Sequence, residues 1–277
     1  QTIYTFQGAH PKIFIDLKGE FDAQIQSRRV PRAIHKVATS ILPYMSTRLK
    51  KEWLPRDEEG EVHYNVVFEE LDMSTGEWFV LTRTNNMLER LREHLYRMNY
   101  RFEAKSQELL PNKMLNAYRV WTRLNQGAYV NKEDVKDLWE YMTVKDGHLV
   151  RGFASIKVLE DITSINLDGL RSEYGLLAAG SWEMLRFPEQ SKLYIKKLLE
   201  SGDDLTKPAR IKLSTIHSVK GEEKDNVVLF TDIERIIYES AKRNADPEHR
   251  TFYVGVTRAK QKLFIANQDY EYQYNIG

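Results

Sequence analysis

Residues 211–230, IKLSTIHSVKGEEKDNVVLF, decide the fold class. Two apolar, β-rich runs, Ile211–Ile216 and Asn226–Thr231, flank a polar stretch too short for a long helix and rich in turn residues. Working outward, residues 246–265, DPEHRTFYVGVTRAKQKLFI, predict a helix and then a strand over Lys262–Ala266. Asp246 and Pro247 supply the expected cap and first turn of that helix. Upstream, His63–Phe68 and Trp78–Thr82 are further strand candidates. Thr84 is expected to N-cap a helix whose apolar positions Met87, Leu88, Leu91, Leu95 and Met98 recur at helical spacing. Strands alternating with helices predict an α/β domain with a mostly parallel sheet.

The middle of the chain reads differently. From about Glu108 to Leu205 the pattern is mainly helical, over Leu109–Gln126, Lys132–Met142, Ser181–Arg186 and Glu189–Glu200. It predicts a helical insertion that splits one α/β domain, with GDDLTKP (202–208) as the return linker.

Composition sets the bounds. The 277 residues are 42% hydrophobic and 29% charged, enough for one large or two smaller globular domains. A net charge of +1 excludes a global basic field, so contact with nucleic acid has to come from a local patch. Arg28, Arg29, Arg32, Lys36, Arg48, Lys50, Lys51 and Arg56 supply a candidate, ahead of an acidic stretch at 57–77. With no cysteine there is no disulfide framework and no Cys-type zinc site. No apolar run approaches the roughly 20 residues needed to span a bilayer and no signal peptide is evident, so no membrane partner and a cytoplasmic location are expected.

Five short segments carry the chemistry. QTIYTFQGA (1–9) joins an amide, Gln1, to an aromatic, Phe6. An amide can bond a phosphate oxygen or an attacking water, and an aromatic face grips a nucleic-acid base at ~1–3 kcal/mol. QSRRVP (26–31) places Arg28 beside Arg29, and FVLTRTN (79–85) runs from a strand to Arg83 and Asn85. Thr215, His217, Lys220, Gly221 and Glu223 form T-x-H-x-x-K-G-x-E, and Arg250, Tyr253, Thr257 and Arg258 are placed on one helix. Without a Cβ, Gly221 permits close approach of a ligand to the backbone.

In order and spacing, these segments resemble motifs III, IV, IVa, V and VI of the superfamily 1A DNA helicases of the UvrD/Rep/PcrA type. The resemblance implies that Gln1 senses the ATP γ-phosphate and that Phe6 stacks on single-stranded DNA. It implies that Arg29 reaches the γ-phosphate and that Arg28 occupies the adenine-stacking place, where the family commonly has Tyr. A guanidinium plane can also stack on a base. Arg83 and Asn85 would lie near the DNA backbone, and Thr215 and His217 would contact DNA or couple it to ATP. Gly221 would lie against the nucleotide, Glu223 would accept from a ribose hydroxyl, and Arg258 would be the arginine finger. Such a finger contributes about 10³–10⁵ in rate. The family usually has Trp and Arg where this chain has Phe6 and Gln7.

The same resemblance implies an architecture. Residues 1–18 would end a first motor domain, 19–107 with 206–277 would form a second RecA-like domain (2A), and 108–205 would be a 2B-like insertion. The cofactor would be ATP with Mg²⁺, held mainly by the other motor domain. The partners would be that N-terminal motor domain and single-stranded DNA or a single-/double-strand junction. Motif III of this type implies 3′→5′ movement. No G-x-x-x-x-G-K-[ST] phosphate loop occurs in the sequence, and no acidic motif precedes motif III. The expectation is a C-terminal helicase fragment, inactive alone, with no metal ligands of its own. The alternative is a non-catalytic nucleic-acid-binding or scaffold subunit with a helicase-like fold. Acid-ending strands VVFEELD (66–72) and VVLFTD (227–232) are read as structural.

Overall fold

The computed structural model describes residues 3, 16, 25–48, 52–105 and 109–276. Gln1 and Phe6, with nearly all of the 1–18 segment, lie outside the described residues. The chain divides into two compact units, residues 1–104 with 210–277 and residues 105–209.

The first unit is built on six parallel strands. In chain order they are β1 (Glu61–Val66), β2 (Trp78–Thr82), β3 (Phe102–Glu103), β6 (Ile211–Thr215), β7 (Lys224–Phe230) and β9 (Ala259–Ala266), arranged β1-β9-β7-β2-β6-β3. The register sets Glu61, Lys262, Asn226, Trp78, Ile211 and Phe102 abreast across the sheet. Central strands read as continuous apolar runs because both faces are covered, and every residue of β2 is buried. The two-residue period then sorts them. Phe79, Leu81, Val227, Leu229, Leu263 and Ile265 meet one core with the helices Arg32–Ile41 and Asp246–Val256. Trp78, Val80, Val228, Phe230, Ile211 and Leu213 meet the other with the helix Leu88–Arg97. This mixed α/β arrangement around a six-stranded parallel sheet is the RecA-like class that the sequence implies.

Two capping expectations are corrected. Thr84 precedes a 3-10 turn, Asn85–Met87, and makes no side-chain cap; its hydroxyl donates to Glu234 Oε1 at 2.7 Å. The Asp246–Val256 helix has Ala245 as its cap, and the Asp246 carboxylate turns away to bind the segment 46–47. The strand-end Asp232 is structural, as read: it is fully buried and accepts from the backbone N–H groups of Gln268 (2.7 Å) and Tyr270 (3.2 Å). Between them these bonds join β8 (Asp232–Ile233) to the segment that leads to its antiparallel partner β10 (Tyr272–Gln273).

The second unit is mainly helical, with helices Asn112–Asn125, Lys132–Trp139, Leu167–Glu173 and Glu189–Glu200. The strands β4 (Val130–Asn131) and β5 (Ser164–Ile165) form a short antiparallel pair. The segment expected to be helical at Ser181–Arg186 is a single 3-10 turn, Trp182–Met184. Met114, Tyr118, Trp121, Val135, Leu138 and Ile195 are among the buried residues of the second unit. Among the described residues, no helix is long and apolar enough to cross a membrane.

Candidate functional site

The register of β7 and β9 brings two distant residues together. Lys224 pairs with Ala259, and the Lys224 N–H donates to the Arg258 carbonyl at 3.2 Å. Glu223 and Arg258 therefore stand side by side at the N-terminal edge of the sheet. Arg29 reaches the same edge from a turn held by the Ser27 hydroxyl, which accepts from the N–H groups of Arg29 (3.3 Å) and Val30 (2.9 Å). Pro31 then ends the turn, and its extended backbone starts the Arg32–Ile41 helix. Arg29 Nη1 lies 3.1 Å from Glu223 Oε2 in a half-exposed ion pair. Arg29 Nε is buried and has no hydrogen-bond partner among the described residues.

Arg258 is held more tightly. It is 6% exposed, and it donates from Nε to Val254 O (2.9 Å), from Nη1 to Glu222 O (3.1 Å) and from Nη2 to Thr257 Oγ1 (3.0 Å). Burial first, and then repulsion from Arg29, push its guanidinium down to about 10, with Glu223 opposing. It remains charged at neutral pH. The Asp246–Val256 helix stops two residues before Arg258, so the arginine sits in the turn into β9 and not on the helix as the spacing predicts. Arg28 is exposed beside Arg29.

A second group gathers at the opposite, C-terminal edge, where β2 and β6 end in register at Thr82 and Thr215. Thr215 Oγ1 and Ser218 Oγ share a hydrogen bond at 3.0 Å, and His217 Nε2 donates to the Ile3 carbonyl at 3.2 Å. Burial chiefly, with the Arg83 charge next, holds the His217 imidazole below its usual range. Arg83 makes a two-pronged ion pair with Glu248, Nε to Oε2 at 2.6 Å and Nη2 to Oε1 at 2.9 Å. Asn85 is exposed at the start of the 3-10 turn.

Two connections link the edges. The crossover 216–223 returns from the end of β6 to the start of β7, burying Ile216 and Val219 on the way. Gly221 on it has φ +99°, a conformation that a side chain strains, and the space beside it is open. Glu222 is fixed by Lys212 Nζ at 2.8 and 2.7 Å. The Asp246–Val256 helix runs the other way, from Glu248 near its start toward Arg258 beyond its end. Asp246 accepts from Ser46 N (2.8 Å), Ser46 Oγ (2.9 Å), Thr47 N (3.0 Å) and Arg250 Nη2 (2.7 Å). Arg250 thus pairs with the carboxylate that anchors the helix, and its Nη2 also donates to Thr47 O at 2.9 Å.

The structure therefore brings Arg29, Glu223 and Arg258 together at one edge and Arg83, Thr215 and His217 at the other, with Gly221 on the crossover. Sequence reasoning did not single out Glu248, Lys212 or Glu222. An acid one turn into a helix and a Lys–Glu pair across a crossover leave no local pattern. Among the described residues no group of three His, Asp or Glu is arranged to hold a metal ion.

The α/β unit around its six-stranded parallel sheet is of the RecA-like class. Residues 178–270 match the family model of the UvrD-like helicase C-terminal domain, a range that takes in β6 to β9 with the helices Arg235–Arg243 and Asp246–Val256. Over these residues, about a third of its length, the chain is similar to the C-terminal domain of UvrD-like helicases. No curated protein matches the chain.

Proposed function

We propose that this chain supplies the second motor domain (residues 19–107 and 206–277) of an ATP-dependent DNA helicase or translocase. Residues 1–18 belong to the first motor domain and residues 108–205 to a 2B-like insertion. The observation that carries the reading is the convergence of Arg29, Glu223 and Arg258, drawn from three distant segments, at one sheet edge. Two guanidinium groups, one with a buried Nε that has no partner among the described residues, suit a polyphosphate. ATP with Mg²⁺, held mainly by the other motor domain, supplies the phosphoryl group to be cleaved. Arg258, preorganised by its three bonds, stabilises charge developing on the γ-phosphate, and Arg29 steers toward the same oxygens. Glu223 takes the ribose hydroxyls, Arg28 stacks on the base, and Gly221 leaves the backbone approachable.

The opposite edge grips single-stranded DNA. Thr215, His217 and Asn85 face it, with Phe6 and Gln1 joining from the first motor domain. Arg83 acts there through its pair with Glu248. Closure of the two motor domains changes both edges at once, because the crossover and the helix join them. Movement is 3′→5′, the chain works in the cytoplasm, and alone it does not hydrolyse ATP.

The test is DNA-stimulated ATP hydrolysis by the full-length product of the reading frame that encodes this chain. Arg258→Ala is expected to lower kcat by about 10³-fold or more with nucleotide binding retained. An unchanged kcat refutes the assignment. Magnesium-dependent turnover by the 277-residue chain itself, abolished by Arg258→Ala, refutes its inactivity alone.

A further inference from the structure

We infer that Glu223 is a specificity-determining counterion: its carboxylate occupies Arg29, excludes inorganic anions, and yields only to a phosphorylated ligand that brings hydroxyl groups to replace the lost arginine. The inference rests on reading this edge as a nucleotide site. Left to themselves, two arginines at one edge bind any phosphate or sulfate, and a motor site that fills with inorganic anions cannot report the presence of nucleotide.

Three observations support the role. Arg29 and Glu223 are exposed enough for a ligand to reach them, at 31% and 42%, yet they pair with each other at 3.1 Å. The Arg29 guanidinium has unused capacity, because its buried Nε has no partner among the described residues. Arg258 feels both groups, Arg29 as a repulsion and Glu223 as an attraction, so one carboxylate balances two cations. The neighbouring lysines have carboxylates of their own, Lys212 both Glu222 and Glu103, Lys224 Glu77 and Lys260 Asp225. Glu223 is thus the group that sets the charge excess of this edge. A displaced Glu223 beside an incoming triphosphate is repelled by it unless the ligand offers donors, and ribose hydroxyls are such donors. Binding a triphosphate without hydroxyls leaves two like charges together, which is the rejecting element of a selective site.

Titration calorimetry of the 277-residue chain tests this with three probes, inorganic tripolyphosphate, ATP and 2′,3′-dideoxy-ATP. The wild type is expected to bind ATP more tightly than the dideoxy analogue and tripolyphosphate most weakly. Glu223→Gln, nearly isosteric at a half-exposed position, is expected to tighten tripolyphosphate by about tenfold or more and to erase the difference between ATP and its dideoxy analogue. Adding Arg29→Gln is expected to remove that gain. A Glu223→Gln protein that binds tripolyphosphate no better than wild type overturns the inference, as does a gain that survives Arg29→Gln. If the wild type binds ATP through Arg29 while Glu223→Gln gains nothing, the nucleotide reading stands and the counterion role falls. If Glu223→Gln gains through Arg29 but no protein distinguishes ATP from tripolyphosphate, anion exclusion stands and the nucleotide reading falls. The probes are taken to millimolar concentration because the other motor domain holds most of the nucleotide, and a Glu223→Gln protein that binds no tripolyphosphate even there overturns the counterion role.

Discussion

Removing the Glu248 carboxylate tests how firmly the Asp246–Val256 helix is tied to the end of β2. Glu248 accepts from Arg83 Nε and Nη2, at 2.6 and 2.9 Å, and the two side chains are only 8% and 18% exposed. Glu248→Ala leaves the Arg83 charge facing His217 in a partly dry site. Stripping one partner from a buried pair costs about 3–5 kcal/mol. Glu248 also sits in the first turn of its helix, where a carboxylate contributes a further ~0.3–1 kcal/mol against the helix dipole. A total near 4 kcal/mol, with a urea m value of about 2–3 kcal/mol/M, lowers the unfolding midpoint by about 1.3–2 M.

The assay has to report on this unit alone, because a chain with two compact units need not unfold in one step. Hydrogen exchange at the amides of Arg250–Val256 along a urea series does so. The double variant Arg83→Met/Glu248→Leu removes both charges and is expected to recover most of the loss, since an apolar pair carries no desolvation penalty. A Glu248→Ala midpoint within about 0.3 M of wild type refutes the reasoning. So does a double variant as unstable as the sum of its single changes.

Three further outcomes are expected. His94, His217 and His249 are each held below the usual range, chiefly by burial, so the unfolded chain takes up protons near pH 6.5 before the folded one does. Stability therefore rises with pH through the window just below 6.5 and is lost on acidification; the urea midpoint drops between pH 7 and about 5.5, and a His94→Gln/His217→Gln/His249→Gln variant that drops as far refutes the assignment. Asn131→Ala, which removes the side-chain acceptor of the Asp134 N–H at 2.9 Å, costs about 1 kcal/mol, read as faster exchange at the amides of Lys132–Trp139 in the helical unit. Gly255→Ala places a Cβ 2.9 Å from Leu229 Cδ1, so about 1–3 kcal/mol of overpacking outweighs the ~1 kcal/mol gain in helix propensity. Its thermal midpoint falls and Leu229→Val restores part of it; a stabilised Gly255→Ala protein contradicts the close packing.

What was legible in the sequence follows from where the signal is local. The strands β2, β6, β7 and β9 are apolar runs of strand length bounded by turn residues, and each formed within two or three residues of the expected limits. The Glu189–Glu200 helix was found at its observed bounds. β3 was missed because two residues, Phe102 and Glu103, carry no period, and only pairing to β6 makes them a strand. The Leu167–Glu173 helix was also missed, although Asn166 caps it by accepting from Gly169 N at 3.0 Å; Gly169 inside the run hid the signal. Thr84 and Asp246 have the composition of caps, but their oxygens went to long-range partners, Glu234 and the 46–47 segment. Cap chemistry is a local preference that a tertiary partner overrides. The Arg83–Glu248 pair joins residues 165 positions apart, which no single-sequence pattern encodes.

The two arginines at the N-terminal edge are built for different tasks, and a conservative substitution separates them. Arg29 is half-exposed, paired to one flexible carboxylate and free at Nε among the described residues, so it can swing toward an arriving anion. Arg258 cannot move without giving up acceptors on the helix end, the crossover and Thr257 together. Its position therefore follows that of the helix and the crossover, the two elements that begin at the opposite edge. A lysine has one ammonium on a flexible stem and cannot donate in three fixed directions. Arg258→Lys gives up at least one of the charge-assisted bonds to Val254 O and Glu222 O, at about 1.5–3 kcal/mol, although Val254 O keeps the Thr257 hydroxyl at 3.1 Å. Arg29→Lys breaks only a half-exposed pair, for which about 0–1 kcal/mol is typical. Unfolding midpoints followed at the Arg250–Val256 amides should fall clearly for Arg258→Lys and hardly at all for Arg29→Lys. Equal losses in the two proteins would mean that Arg258 is not locked to the helix, and the rigid link between the edges would be lost with it.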